Sequence, residues 1–112
     1  MDERPQISKR SKGPERKVLI FSDKDNVGTA TQELRPGEFF LAERKSGQKL
    51  KTREKIPFGF KVALEDIPMG SNVIKYGEII GRSTRLIKIG EIVHVHNIEG
   101  TRGRGDLKPD IA

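Results

Sequence analysis

A seven-residue phrase that recurs four times constrains the fold of this chain more than any other feature. Each copy begins with an apolar residue, has glycine in fourth place, and leads into an apolar strand start. The copies lie at 34–40, 56–62, 67–73 and 87–93. Glycine adopts a positive φ angle without a Cβ clash, and the proline found in most copies presets φ for a turn. The phrase predicts short strands that turn a tight corner at each glycine, and its uneven spacing argues against a solenoid.

Short strands are predicted between these corners. They lie at 38–44, 48–53, 61–64, 72–76 and 91–97. The apolar, β-branched run at 17–21 predicts a further, buried strand, and 44–48 predict a hairpin turn. Only 27–34 is ambiguous, because Asp25 and Asn26 could cap a short helix there. The sequence therefore predicts a mainly β chain with little helix.

The size of the chain favours a single domain with one modest core. It has 112 residues, of which 33% are apolar, and it has no cysteine for a disulfide or a thiolate metal site. So small a core argues against a self-contained enzyme, because a buried catalytic cleft needs more enclosing wall. We predict a flexible basic arm at 1–16, a β domain at 17–100 and a flexible tail at 101–112.

The net charge of +6, from 22 Lys and Arg against 16 Asp and Glu, does not indicate nucleic-acid binding. Acidic and basic residues are interspersed along the body, whereas a nucleic-acid interface needs clustered positive charge and exposed aromatic residues. No apolar run is long enough to cross a membrane, and the first residues lack the apolar stretch of a secretory signal. We expect a cytoplasmic protein with neither a nucleic-acid nor a membrane partner.

Two histidines and an acidic turn are the candidate metal ligands. In a strand over 91–97, His94 and His96 point to one face, so both imidazoles can bind one ion. Asp25, in the turn at 23–26, can ligate a cation or cap the turn through hydrogen bonds to the backbone. Two imidazoles are too few for a closed site, so Asp or Glu ligands must complete it. The alternative is a solvent-exposed face that simply carries histidine.

Basic residues near glycine are the candidate ligand contacts. Lys61, Lys75 and Tyr76 each lie within two residues of a glycine, where the backbone lets a carboxylate or phosphate approach closely. Arg102 and Arg104 belong to a glycine-spaced segment that could place guanidinium groups on an anion. Exposed lysines and a disordered tail are the alternatives. No nucleophile pair, phosphate-binding loop or dinucleotide fingerprint indicates catalytic residues.

Four motifs in a fixed order resemble one protein family. They lie at 25–28, 56–64, 73–81 and 94–97, and the segment at 102–106 extends the likeness. The set is similar to the small N-terminal domain or subunit of the altronate and galactarate dehydratase family, which includes the small subunit of sulfolactate sulfo-lyase. The resemblance implies an SAF-type domain with a β-clip fold, a long hairpin bent back on itself twice.

The resemblance also implies a role. A small unit of this family joins a much larger partner, and together they eliminate water from a sugar acid; in the sulfolactate branch sulfite leaves instead. A divalent metal, commonly iron, is implied in the complete enzyme. The reaction removes a proton next to a carboxylate and expels a β-hydroxyl group, so a metal or general acid must stabilise the leaving oxygen.

One position departs from the family pattern. Relatives usually read Gly-His-Lys where this chain has Gly59, Phe60 and Lys61. A phenylalanine can neither ligate a metal nor transfer a proton, so the role of the family histidine is missing here. Either that histidine is dispensable, or this member has altered chemistry or is inactive alone.

The sequence leaves three hypotheses for the function. They are the small subunit of a sugar-acid hydro-lyase (or of a sulfolactate sulfo-lyase) with a large partner, a stand-alone SAF module for an anionic or carbohydrate-like ligand, and a structural assembly domain. A homo-oligomer is compatible with each of them.

Overall fold

The computed structural model describes residues 16–42 and 47–100, and these residues contain nine short strands. They are β1 (Val18–Leu19), β2 (Val27–Ala30), β3 (Phe39–Ala42), β4 (Gln48–Lys51), β5 (Lys61–Ala63), β6 (Asn72–Lys75), β7 (Glu78–Ser83), β8 (Ile92–Val93) and β9 (Ile98–Glu99). These described residues contain no helix, which confirms the mainly β prediction. The helix considered for 27–34 is wrong, because its first four residues form β2.

Four predicted strands are confirmed with shorter bounds, as β3, β4, β5 and β6. The predicted hairpin between β3 and β4 is confirmed by their antiparallel pairing, with Ala42 opposite Gln48. Its tip at 43–46 lies outside the described residues, as do the predicted arm before residue 16 and the tail from residue 101, which contains Arg102 and Arg104. The part of the chain that the structure describes has no helix long and apolar enough to cross a membrane.

Other strand predictions need correction. The run at 17–21 is not a buried strand throughout: β1 is two residues long, and Leu19 and Phe21 are 41% and 64% exposed. The strand predicted over 91–97 ends at Val93, where β8 ends. The sequence patterns did not predict β7 or β9.

The strands pair antiparallel in three small sheets. The first sheet has the order β1-β2-β5-β8, the second contains β3 and β4, and the third has the order β6-β7-β9. In the first sheet, β5 lies between β2 and β8, with Lys61 opposite both Thr29 and Val93. Strand β5 therefore connects the first part of the chain to the last.

The glycine corners predicted from the repeated phrase are confirmed as hydrogen-bonded type II turns. Gly37, Gly59, Gly70 and Gly90 hold the third position of their turns, with φ between 78° and 88°. The residue after each glycine donates its N–H to the carbonyl three residues earlier, at 3.0–3.2 Å. These φ angles explain why glycine recurs at the fourth place of the phrase.

The four phrases pair two by two and divide the fold into two similar halves. Isolated antiparallel bridges join Leu34 to Ile56 and Ile67 to Ile87. In each half a buried hydroxyl, that of Thr52 or Ser83, donates to the carbonyl that begins a corner and accepts from the amide that ends it. The second half repeats the order of the first: a corner, a hairpin and another corner.

Each half has its own apolar cluster. The first contains Val18, Ala30, Leu34, Phe40, Ala42, Ile56, Val62 and Leu64. The second contains Val27, Ala63, Ile67, Val73, Ile87 and Val93. Strand β5 contributes Val62 to one cluster and Ala63 to the other, because successive side chains on a strand point to opposite faces. The first sheet therefore separates the two small cores.

Candidate functional site

The hairpin between β6 and β7 closes through an unusual two-residue turn. Lys75 lies opposite Glu78, so Tyr76 and Gly77 form the turn. Their φ angles are 58° and 75°, which is the type I′ geometry favoured in tight hairpins. Among the described residues, Tyr76 is the only non-glycine residue with positive φ. A bulky residue in this region is strained, and such strain is often kept at functional sites.

Asp25 holds this turn against the loop before β2. One carboxylate oxygen, Oδ1, accepts a hydrogen bond from the Gly77 N–H at 2.7 Å. The other, Oδ2, accepts from the N–H groups of Phe21 and Ser22, both at 3.2 Å. The Asp25 side chain is fully buried. These bonds confirm the turn-capping interpretation of Asp25, and its assignment as a metal ligand stays a prediction.

Two aromatic rings and the Lys75 ammonium group meet at the hairpin turn that Asp25 secures. The rings of Phe21 and Tyr76 lie 4.6 Å apart between centroids, tilted by 53°. The Lys75 Nζ lies 4.4 Å from the centre of the Tyr76 ring, within cation–π range. Both rings are well exposed, at 64% and 45% of their surfaces. We call Phe21, Lys61, Lys75 and Tyr76 the lysine face.

Lys61 completes the lysine face from the neighbouring sheet. Burial lowers the pKa of Lys61, and the positive charge of Lys75 lowers it further. Two ammonium groups near enough to repel each other favour an anion between or beside them. The anion offsets both their repulsion and the cost of burying the Lys61 charge. The structure thus places Lys75 against Tyr76, and near enough to Lys61 for its charge to act on the Lys61 ammonium group. Their role in binding stays a prediction.

The prediction that His94 and His96 share one strand face is wrong, because the chain turns immediately after Val93. The carbonyl of His94 accepts a hydrogen bond from the Asn97 N–H at 3.0 Å. The buried Asn97 side chain accepts from the His94 N–H and donates to the Ile92 carbonyl, both at 2.9 Å. An asparagine that bonds to nearby backbone in this way competes with strand continuation.

The turn sends the two imidazoles to different surroundings. The ring of His94 packs on the ring of Phe60, with centroids 4.7 Å apart. His96 instead lines a cavity together with Asn97. The histidine that the family resemblance implies at position 60 would therefore lie directly beside His94.

The described residues do not supply a complete metal site. Within residues 16–42 and 47–100, no group of three His, Cys, Asp or Glu side chains is placed to hold a metal ion. Asp25, His94 and His96 are therefore not brought together as one ligand set. Iron binding by these three side chains as one site does not fit the arrangement, because a protein site for iron or zinc needs at least three ligands grouped around the ion.

Replacing Phe60 by histidine should create a metal-binding pair with His94. Imidazole rings at the 4.7 Å spacing of Phe60 and His94 can ligate one ion together. We expect Phe60→His to bind Co²⁺ about tenfold more tightly than the unchanged chain, as measured by the visible absorption of bound cobalt. The double variant Phe60→His, His94→Ala should lose the gain. Equal cobalt binding by the double variant would show that His94 is not the second ligand.

The roles of two residues in these sites were not predicted from the sequence. Phe21 looked like part of a buried strand, and nothing local indicates that its ring meets Tyr76 from a distant hairpin. Asn97 could have been found, because an asparagine shortly after an apolar strand often closes a turn by bonding to nearby backbone. The alternating His-Val-His-Asn run that contains Asn97 instead favoured a continuing strand.

Comparison with known proteins gives one consistent family. A family model described as the altronate/galactarate dehydratase SAF domain matches residues 16–101. Altronate dehydratase of Bacillus subtilis (strain 168) is 37% identical over 73 residues, which are 65% of this chain and 14% of that protein. Galactarate dehydratase (L-threo-forming) of Escherichia coli (strain K12) is 36% identical over 86 residues, 75% of this chain and 15% of that protein.

A shorter relative is also similar. The (2R)-sulfolactate sulfo-lyase subunit alpha of Chromohalobacter salexigens is 44% identical over 50 residues, 45% of this chain and 53% of the subunit. The chain thus matches a small part of each dehydratase and about half of this subunit. These matches confirm the resemblance that the four motifs indicated.

Proposed function

Because the chain belongs to the altronate/galactarate dehydratase SAF-domain family, we propose that it is the small subunit of a cytoplasmic sugar-acid hydro-lyase. A separate large subunit would carry most of the reaction. One observation carries the proposal. This chain is similar both to a part of longer dehydratases and to short relatives that are named as a subunit. The relatives' names supply the reaction class, a dehydration of altronate- or galactarate-type acids.

The lysine face is the part of this chain that we propose to contact the substrate. A sugar acid offers a carboxylate, which suits the ammonium groups of Lys61 and Lys75. Its carbon chain can lie against the exposed rings of Phe21 and Tyr76, as apolar sugar faces pack on aromatic side chains. The Lys61 ammonium, already destabilised by burial and by Lys75, gains most from a bound anion.

The proposal divides the chemistry between two chains. Elimination requires a base for the proton beside the carboxylate and an acid or metal for the leaving hydroxyl. The lysine face would bind and orient the carboxylate end, while the base and the group that assists the leaving hydroxyl would come from the large subunit. Iron or another divalent metal is assigned to that subunit as well, since the described residues here form no metal site.

Reconstituting the two subunits tests this function. With a large dehydratase subunit, we expect elimination from altronate or galactarate only when this chain is added, followed by the absorbance of the keto product after derivatisation. Lys61→Gln and Lys75→Gln should each lower kcat/KM by about 10- to 100-fold, the effect of losing a charge-assisted hydrogen bond. Lys55→Gln, at an exposed lysine away from the lysine face, should leave kcat/KM unchanged.

Two results would contradict the proposal. Full activity of the large subunit without this chain would remove any need for a small subunit. Unchanged kcat/KM in the Lys61 and Lys75 variants, with normal assembly, would leave this chain a purely structural role.

A stand-alone binding module is the second candidate function, and the aromatic pair favours it. Phe21 and Tyr76 present exposed rings, in tilted contact, beside Lys75, an arrangement that can hold a carbohydrate-like anion without any partner. Calorimetric titration of the chain alone with altronate, galactarate and sulfolactate separates the two cases. Submicromolar binding without a partner would favour the module, and elimination of sulfite from sulfolactate in the reconstituted complex would assign the sulfo-lyase branch.

A further inference from the structure

A second concave site lies away from the lysine face and has no assigned role. It is a cavity of about 320 Å³. Its lining residues, which define what we call the arginine cavity, are Arg53, Glu54, Arg85, Glu91, His96 and Asn97. The volume is at the lower end of the range for small-molecule sites. None of these residues belongs to the lysine face.

Backbone hydrogen bonds fix the walls of the arginine cavity. The Arg53 N–H donates to the Gly90 carbonyl at 2.9 Å, which holds the end of β4 against the fourth corner. The Thr84 N–H donates to the Asn97 carbonyl, also at 2.9 Å, which holds the end of β7 against the turn at 94–97, which we call the histidine turn. Three segments distant in sequence therefore meet at set positions.

Both carboxylates of the cavity are oriented by backbone amides. Glu54 Oε2 accepts a hydrogen bond from the Ile92 N–H at 2.9 Å. Glu91 Oε1 accepts from the Lys88 N–H at 3.0 Å. Each bond occupies one oxygen of its carboxylate. The second oxygen of each is then available to accept a hydrogen bond from a ligand.

The two arginines supply matching donors. Within residues 16–42 and 47–100, neither Arg53 nor Arg85 forms an ion pair with a carboxylate. A guanidinium group presents a fork of N–H donors that fits a carboxylate with two parallel hydrogen bonds. The cavity thus combines strong donors for a carboxylate with anchored acceptors.

We propose that the arginine cavity binds a small hydroxylated carboxylate. Arg53 and Arg85 bind the carboxylate, and Glu54 and Glu91 accept hydrogen bonds from hydroxyl groups on the same molecule. A simple anion satisfies the arginines but leaves the two glutamates to repel it. A neutral polyol satisfies the glutamates but leaves the arginines without an anion. Only a ligand with both kinds of group matches the whole lining.

This inference rests on the proposed function in one respect: the proposed substrate is itself a hydroxylated carboxylate, so it is the natural candidate for the ligand of the cavity. The site itself is separate from the lysine face. It can therefore be tested on this chain alone, without the large subunit, so that its failure leaves the reconstitution experiment intact.

The test is titration of the isotopically labelled chain by NMR with three probes: gluconate, a hydroxylated monocarboxylate; adipate, a dicarboxylate without hydroxyl groups; and sorbitol, a neutral polyol. Gluconate should shift the amide signals of Arg53, Glu91 and Asn97 with a measurable Kd, and adipate and sorbitol should bind at least about tenfold more weakly. The double variant Arg53→Gln, Arg85→Gln should lose gluconate binding by about tenfold or more. Glu91→Gln should weaken gluconate and strengthen adipate, because it removes the repelling charge.

The spectra of each variant also report whether it remains folded, and Arg53→Lys with Arg85→Lys provides a charge-preserving pair if the glutamine variant unfolds. That lysine pair should retain weak binding, since the charge stays but the fork of donors is lost. Adipate binding as tight as gluconate binding would overturn the proposal in favour of an unselective anion site. Loss of gluconate binding in Lys61→Gln, with full binding in the arginine variants, would overturn it in favour of the lysine face.

Discussion

Replacing Gly90 by alanine is expected to destabilise the fold far more than the same change at Gly59. Both glycines have positive φ, at 88° and 86°, so each alanine loses about 1 kcal/mol to backbone strain. At Gly59 an added Cβ meets open space. At Gly90 it would press on the Lys51 carbonyl oxygen and lie 3.0 Å from the Arg53 nitrogen. The backbones must therefore separate at that crossing.

The expected free-energy change of unfolding is about 3 kcal/mol or more for Gly90→Ala and about 1 kcal/mol for Gly59→Ala. Thermal unfolding followed by circular dichroism should then show Tm falling by about 12 °C or more for the first variant and by about 4–8 °C for the second. Equal losses for the two variants would mean that the close approach at Gly90 is not maintained in solution.

Replacing Asp25 by alanine is the second change with a large expected effect. The variant leaves three N–H groups, those of Phe21, Ser22 and Gly77, without the carboxylate that accepts from them. A lost hydrogen bond to a buried charged group costs about 1.5–3 kcal/mol, so a total of about 3 kcal/mol or more is expected. The contact between the Phe21 and Tyr76 rings should be lost as well, because Asp25 joins their two loops.

The measurement uses the single tyrosine, since the chain has one Tyr and no Trp. Urea unfolding should give the stability loss, and Tyr76 emission in the absence of urea should change as the Phe21 ring moves away. Asp23→Ala, at an exposed neighbour, should shift stability by no more than about 0.5 kcal/mol. If Asp25→Ala keeps full stability but loses the binding of added Fe²⁺ or Mn²⁺, the metal-ligand assignment of Asp25 replaces the turn-capping one.

The corners of the fold could be predicted from the sequence because their chemistry is local. A positive φ at the third turn position requires glycine, and the phrase repeats that requirement four times. The end of β8 could not be predicted as easily. The residues from Ile92 to Asn97 alternate like a strand, and only the side-chain bonds of Asn97 to the backbone make the chain turn.

The candidate sites depend on contacts between distant residues, which periodicity does not reveal. Lys61 and Lys75 were predicted individually, but the effect of Lys75 on the pKa of Lys61 depends on the fold, because the two lysines lie on strands of different sheets. Arg53 and Arg85 are two of 22 basic residues and carry no local pattern that separates them from surface arginines. Their common cavity exists only because the fourth corner and the histidine turn close around them.

The position of β5 has a consequence for how the protein folds and how it can be divided. This strand pairs with β2, from the first half, on one side and with β8, from the second half, on the other. Neither half can complete its sheet without it, so a cut between the halves would leave both with an unpaired edge and an uncovered apolar cluster. The two cores must therefore form in one cooperative event, which needs contacts between remote parts of the chain and makes folding slow for so small a protein.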